Sequence, residues 1–325
     1  MAVTRTPKPS PEFQGPNLSR WAPEGPFAVA FSAGADSTAL LWACVQRWPQ
    51  WTHAIHVNHG LQPAASDFEW HARHLCQRWH IPLAVVTPEA HPQKGQSPED
   101  AARRARYQAL AHAAQTAFDH PLATILLAQH ADDQAETVLL AWSRGSGLAG
   151  LAAMPAVAQR QGISWVRPWL EQSAASLRQA MRREGIAWVE DPSNQSSAYT
   201  RNRIRQQILP VLEQALPGSR ATLVRTADHA AQALRLLADL AEIDASRVGD
   251  PPRIADLRQL SPHRQANVLR HWLAGLGTQA QASQMSELLR QIDACTTRGH
   301  RISLRVGHGQ IRREGAHLAW LQSKV

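Results

Sequence analysis

From residue 27 to residue 184 the chain alternates short, mostly apolar runs with stretches of helical periodicity, and this alternation restricts the fold more than any other feature. The runs at 27–31, 54–57, 83–86, 124–128 and 163–166 are too short for helices and are flanked by polar or turn-forming residues, so they predict strands. Helical patterns at 38–47, 67–79, 98–117, 132–142 and 174–184 follow them in turn. Strands separated by helices predict an α/β fold built on a parallel sheet, because parallel neighbours need a long crossover. In such open sheets ligands sit beyond the carboxyl ends of the strands. Ser32, His59 and His130 each fall at one of those ends, so three separate segments are expected to meet in one crevice.

The pattern changes near Pro210 and Pro217-Gly218, which bracket a domain boundary. We expect a flexible leader over 1–25, a nucleotide-binding catalytic domain over 26–215 and a smaller domain over 216–325. In that second domain a long helix is predicted over 219–247 and two more over 262–276 and 281–291. Short runs at 301–306, 310–313 and 317–321 read as an antiparallel meander. Of the net charge of +8, the first 215 residues carry little, with 19 basic against 17 acidic residues. Residues 216–325 hold 15 basic against 9 acidic, and nearly all the cations are Arg, which suits bidentate contact with phosphate and predicts a polyanionic partner. No run approaches the length of a membrane-spanning helix, and 1–25 lacks the apolar core of a secretory signal. The three cysteines, Cys44, Cys76 and Cys295, are widely spaced, which argues against a zinc site or redox pair and for a cytoplasmic setting.

The first strand feeds the loop Ser32-Ala33-Gly34-Ala35-Asp36-Ser37, and a helix starts at once. Backbone N–H groups in such a loop and at a helix start supply positive potential for phosphate. Ser32 and Ser37 add hydroxyls, and Asp36 can hold a metal ion against phosphate oxygens. The loop is neither a Walker A sequence nor a dinucleotide fingerprint. It resembles the PP-loop, Ser-Gly-Gly-x-Asp-Ser, of ATP pyrophosphatases, with Ala33 standing at that pattern's first Gly. A backbone with positive φ there would strain Ala; otherwise only a methyl is added.

Other segments carry chemistry at matching places. His56-Val57-Asn58-His59-Gly60-Leu61 ends the second strand; residues i and i+3 of a strand point to opposite faces, so a polar wall for a base or ribose is favoured over a His–His metal pair. Arg103, Arg106 and Tyr107 follow a capped helix start, as a solvated face or as a phosphate contact. In Gln129-His130-Ala131-Asp132-Asp133-Gln134-Ala135-Glu136-Thr137, three acids open a helix, suited to Mg²⁺ or to an ammonium group. Arg144 precedes the glycines of Gly145-Ser146-Gly147-Leu148-Ala149-Gly150, with Gly145 a natural helix stop. Arg201 and Arg205 stand one turn apart, as a phosphate-gripping pair or as a basic surface.

Taken in order, with Arg167-Pro168-Trp169-Leu170 and Glu190-Asp191-Pro192-Ser193-Asn194, these segments resemble the tRNA(Ile)-lysidine synthetases. The resemblance runs from about Phe27 to the end of the chain and implies a short form that stops after the first C-terminal domain, at Arg312–Gln322, without the further one of longer members. It implies a Rossmann-like domain of the PP-loop ATPase type, followed by a mainly helical domain with a small β meander. It implies ATP and Mg²⁺ as co-substrate and cofactor, and isoleucine tRNA with a CAU anticodon, L-lysine and a second copy of the chain as partners. ATP would adenylate C2 of the wobble cytidine, and lysine would displace AMP. On this resemblance Ser32, Ala33, Gly34, Ala35, Asp36, Ser37 and His59 would bind ATP. Asp36, Asp132, Asp133 and Glu136 would be catalytic, with Asp36 and Asp133 on the metal. Arg103, Arg106, Arg144, Arg201 and Arg205 would meet phosphate or tRNA. A tRNA thiolase of the same superfamily, a non-catalytic RNA-binding protein and an amide-forming ligase for small molecules are the alternatives. Cysteine spacing disfavours the first, the acidic cluster the second, and the basic C-terminal domain the third.

Overall fold

A computed structural model describes residue 18 and residues 21–58, 65–88, 98–190, 200–297 and 299–322. Its first unit is a six-stranded sheet of order β3-β2-β1-β4-β6-β5. The strands are β1 (Phe27–Ala30), β2 (Thr52–Val57), β3 (Leu83–Val86), β4 (Thr124–Leu126), β5 (Val157–Arg160) and β6 (Ile163–Val166). All five expected strands are present and parallel, and the order reverses between β1 and β4, which opens the crevice where Ser32 and His130 lie. The helices are α1 (Ala35–Arg47), α2 (Ala65–Arg78), α3 (Pro98–Thr116), α4 (Ala131–Ser143), a single turn α5 (Leu148–Leu151) and α6 (Ala174–Arg183).

The sheet packs on both faces. Leu40, Leu41, Leu75 and Met181 of α1, α2 and α6 share one buried cluster with Phe27 and Val29; Leu110 and Ala114 of α3 share another with Ala28, Ile55 and Ile125. This two-sided burial explains the continuous apolar runs. Leu18 is buried in the first cluster, and Trp21 meets Phe27 edge-on at 5.0 Å, so part of the expected leader belongs to this core. The sheet holds one strand that was not expected. β5 is an antiparallel edge of polar sequence, Val-Ala-Gln-Arg, joined to β6 by Gln161-Gly162 with both φ angles positive, the twist-matched hairpin turn.

Beyond the sheet, α7 (Thr200–Arg203), a π-helical segment (Ile204–Ile208) and α8 (Leu209–Ala215) form an arm. Ile204 and Leu209 of the arm bury against Ala135 of α4. The long helix α9 (Ser219–Val248) follows, and by contacts the chain divides within it, between His229 and Ala230. The second unit holds α10 (Ile254–Leu257), α11 (Pro262–Gly275), α12 (Ala282–Ala294) and the meander β7 (Ser303–Val306), β8 (Gly309–Glu314) and β9 (His317–Gln322). Its core runs from Leu269 and Leu288 to Ile311 and Leu318, and Arg264 pairs with the buried Asp244. Among the described residues no helix is long and apolar enough to cross a membrane.

Candidate active site

The loop after β1 is shaped by its own side chains. Ser37 Oγ accepts the Ser32 N–H at 3.1 Å and donates to the Gly34 carbonyl at 3.1 Å, and the two serine hydroxyls lie 3.0 Å apart. The hydroxyls therefore brace the loop, and the α1 N-terminus, with Gly34 at its cap, faces the crevice. Gly34 has φ −74°, an angle any residue adopts, whereas Ala33 has φ 64°. Position 33 is thus the one that favours glycine, and its buried methyl packs in the core rather than lining the cavity.

The cavity beyond the sheet measures about 590 Å³. Ser32, Gly34, Ala35, Asp36 and Ser37 of the loop line it, as do Asn58, Asp133, Arg106, Arg201 and Arg205. His130 ties its two acidic walls together. Its Nε2 lies 3.5 Å from Asp36 on α1 and 3.5 Å from Asp133 on α4. Burial pushes the His130 imidazole toward neutrality, but the Asp36 hydrogen bond and the charges of Asp133, Asp36 and Asp132 outweigh it and raise its pKa. Burial likewise pushes Asp36 up, and His130, Arg178 and Arg205 together hold it below the ordinary carboxylate value. Asp36 Oδ1 is buried and has no hydrogen-bond partner among the described residues.

The three acids of α4 have separate surroundings. Asp133 faces the cavity, accepts the His130 backbone N–H at 3.1 Å and pairs with Arg205 at 3.1 Å. Asp132 is turned aside: it accepts the Ala174 N–H at the start of α6 at 2.9 Å and pairs with Arg220. Glu136 has no exposed surface. It receives Arg205 Nε at 2.6 Å, with Arg201 Nε at 3.5 Å. Burial pushes Glu136 above the ordinary carboxylate value, against the pull of Arg205. Arg205 lies in the π-helical segment, a local irregularity frequent at functional sites.

The remaining expected residues scatter. Arg106 lines the cavity; burial pushes its pKa down, and among the described residues no carboxylate offsets its charge. Arg103 lies on the other flank of α3, over the Tyr107 ring at 5.5 Å. Arg144 is exposed after α4, beside Gly145 at φ 64°, and does not line the cavity. His59 lies outside the described residues. Arg178 of α6 and Arg220 of α9 carried no signal beyond an amphipathic helix. His130 stood in a conspicuous motif, but its bridging position needed the fold. Among the described residues no group of three or more His, Cys, Asp or Glu is arranged to hold a metal alone. Asp36 and Asp133 nevertheless fit Mg²⁺, which is commonly bound by one or two carboxylates plus substrate phosphates, and the unpartnered Asp36 Oδ1 is a free hard ligand.

Comparison with known proteins shows the family of the chain. A PP-loop domain family matches residues 12–212, and a TilS substrate binding domain family matches residues 253–318. A tRNA(Ile)-lysidine synthase of Polaromonas naphthalenivorans is 50% identical over 91% of this chain and 89% of its own. The same enzyme of Bordetella pertussis is 38% identical over 90% of this chain and 95% of its own. In Escherichia coli O157:H7 it is 37% identical over 91% of this chain and 69% of its own. Among solved structures, the U34-tRNA thiolase NcsA of Methanococcus maripaludis aligns with a TM-score of 0.53 at 17% identity, over 63% of this chain and 71% of that one, which is a likeness of fold.

Proposed function

This chain belongs to the tRNA(Ile)-lysidine synthase family, and from that premise we propose how its residues carry out the ATP-dependent modification of the wobble cytidine. The substrate is an isoleucine tRNA with a CAU anticodon, and the amine joined to C2 is that of L-lysine. The C2 oxygen attacks the α-phosphorus of ATP and pyrophosphate leaves. The lysine amine then adds to C2, loses a proton, and AMP departs with the oxygen. Adenylation is needed because the C2 oxygen is otherwise a poor leaving group.

The observation that carries this reading is the meeting of Asp36 and Asp133, from helices opening after two different strands, across His130 in one cavity beside the PP-loop. Loop N–H groups and the α1 N-terminus receive the departing pyrophosphate. Arg106 and Arg178, which both line the cavity, balance phosphate charge. Mg²⁺ would sit on Asp36 and Asp133 and neutralise charge developing on the phosphates. Of the α4 acids, Asp133 lines the cavity and would orient the lysine ammonium, while Glu136 pairs with Arg205 and Asp132 with Arg220. Residues 26–215 form the catalytic domain and 216–325 the tRNA-docking domain. The protein acts in the cytoplasm, and a homodimer completes the proposal.

Sulfur delivery is disfavoured by the thiols: burial pushes Cys76 up to about 12 and Cys44 higher still, so neither is a nucleophile. The test is incubation of unmodified isoleucine tRNA with ATP, Mg²⁺ and labelled lysine. Label should enter the wobble cytidine and be lost in Asp36→Ala. If ATP is not consumed with any tRNA, the reading fails.

A further inference from the structure

A second concavity, about 490 Å³, lies on the other flank of α3 from the ATP crevice. Its rim is Arg103 and Arg104 of α3 and Arg160 at the end of β5; its floor is Tyr107 over Trp165. The two rings lie 4.7 Å apart, and Trp165 is 1% exposed, so Tyr107 rests on the buried core of the sheet. Among the described residues no Asp or Glu lines it. The three rim arginines are exposed, and a fourth, Arg167, is buried below them, held by Gln129 Oε1 at 3.0 Å and the Pro155 carbonyl at 3.0 Å. Burial pushes the Tyr107 phenol up, yet the charges of Arg103, Arg167 and Arg106 outweigh it and hold it below its ordinary value. Like charges gathered round an aromatic floor repel one another, and a bound polyanion relieves that repulsion. The helix period explains the division of α3: Ala102, Arg106 and Leu110 line the crevice, while Arg103, Tyr107 and Gln108 line the groove.

We propose that this groove binds the phosphodiester backbone of the tRNA strand whose base enters the adjoining crevice. The inference rests on the function proposed above. A groove and a crevice that share one helix suit one continuous strand, with the base on one flank and its neighbouring phosphates on the other. Phosphate contacts fix position rather than sequence, so the groove would hold the anticodon strand in register while the crevice reads the base. The edge strand β5, unexpected from sequence, supplies Arg160 and through its turn Gln161.

The experiment uses the full chain with Arg104→Gln and Arg160→Gln singly and together, both positions being exposed, and Arg160→Lys as the charge-retaining control. Affinity for unmodified isoleucine tRNA is measured over a salt series, with KM for ATP and kcat at saturating tRNA alongside. The double variant should bind about tenfold more weakly at low salt, and its log–log salt slope should be shallower by about 2, one counterion per lost contact. Arg160→Lys should keep the slope, and KM for ATP and kcat should stay at wild-type values. Wild-type affinity and slope in the double variant overturn the proposal. So does a rise in KM for ATP without loss of tRNA affinity, which would make the groove a nucleotide site, or displacement of a polyglutamate peptide but not tRNA, which would make it a protein contact. Binding decides the groove; a wild-type protein that binds tRNA this way yet incorporates no lysine overturns the reaction and not the groove.

Discussion

Replacing Ala33 by Gly tests whether the phosphate loop is built as described. Ala33 has φ 64° and no exposed surface. A Cβ in the left-handed region costs about 1–2 kcal/mol, which Gly removes. Against that, Gly frees the unfolded chain by about 0.4–1 kcal/mol. It also deletes a buried methyl worth about 0.8 kcal/mol. These terms nearly cancel, so Ala33→Gly should lie within about 0.5 kcal/mol of wild type. Ala39 is equally buried but inside α1. There Ala→Gly loses about 1 kcal/mol of helix propensity as well as the methyl, about 2 kcal/mol in all. Two chemically identical substitutions should therefore differ by about 2 kcal/mol, read as separated urea midpoints at unchanged m. Ala33→Val, β-branched at positive φ, should fall well below both. The cavity does not include Ala33, so KM for ATP should change by only a few-fold in Ala33→Gly and lysine incorporation should persist. Equal destabilisation by Ala33→Gly and Ala39→Gly would refute the left-handed conformation and the reason for expecting Gly there.

Three further outcomes follow from the carboxylates. Glu136→Gln leaves Arg205 without its closest anion and should destabilise by about 2 kcal/mol, with kcat reduced; unchanged stability would show that the pair does not anchor the arm. Asp132→Asn should destabilise through the lost Arg220 and α6 contacts while KM for ATP holds; a purely catalytic defect at full stability would contradict its placement away from the cavity. In metal-free protein the raised pKa of His130 gives stability that is complete below the unfolded value of 6.5 and is lost as pH rises through the folded value. The lowered pKa of Asp36 gives stability present above 3.8 and lost as pH falls through its folded value. Melting in EDTA should thus show an alkaline decline that His130→Asn abolishes, and parallel profiles for the two proteins would refute the bridge.

The sheet and its helices were legible because their signals are local. Strands buried on both faces must be largely apolar, so β1 and the run that holds β4 announce themselves in a few residues. β5 did not, because an exposed edge strand needs no apolar pattern; its signal was the Gln161-Gly162 turn. The loop and the acidic helix start were equally visible, since phosphate binding and helix starts each impose a residue pattern on adjacent positions.

By itself, then, the sequence determined that a PP-loop and a His-x-Asp-Asp-x-x-Glu segment stand at the ends of parallel strands, which is enough for the fold, and the ordered set of further segments pointed to the reaction class. Beyond the metal role that the family resemblance gave Asp133, it left the tasks of Asp132, Asp133 and Glu136 undivided. Only the tertiary structure separates them, because their surroundings come from elsewhere in the chain: Arg205 lies 69 residues from Glu136, and Arg220 lies 88 from Asp132. The same holds for Ala33, whose methyl looked like a small departure until the backbone showed a positive φ. Helix periodicity says which way a carboxylate points; whether it meets an arginine, an amide or an open cavity depends on segments that only folding brings beside it.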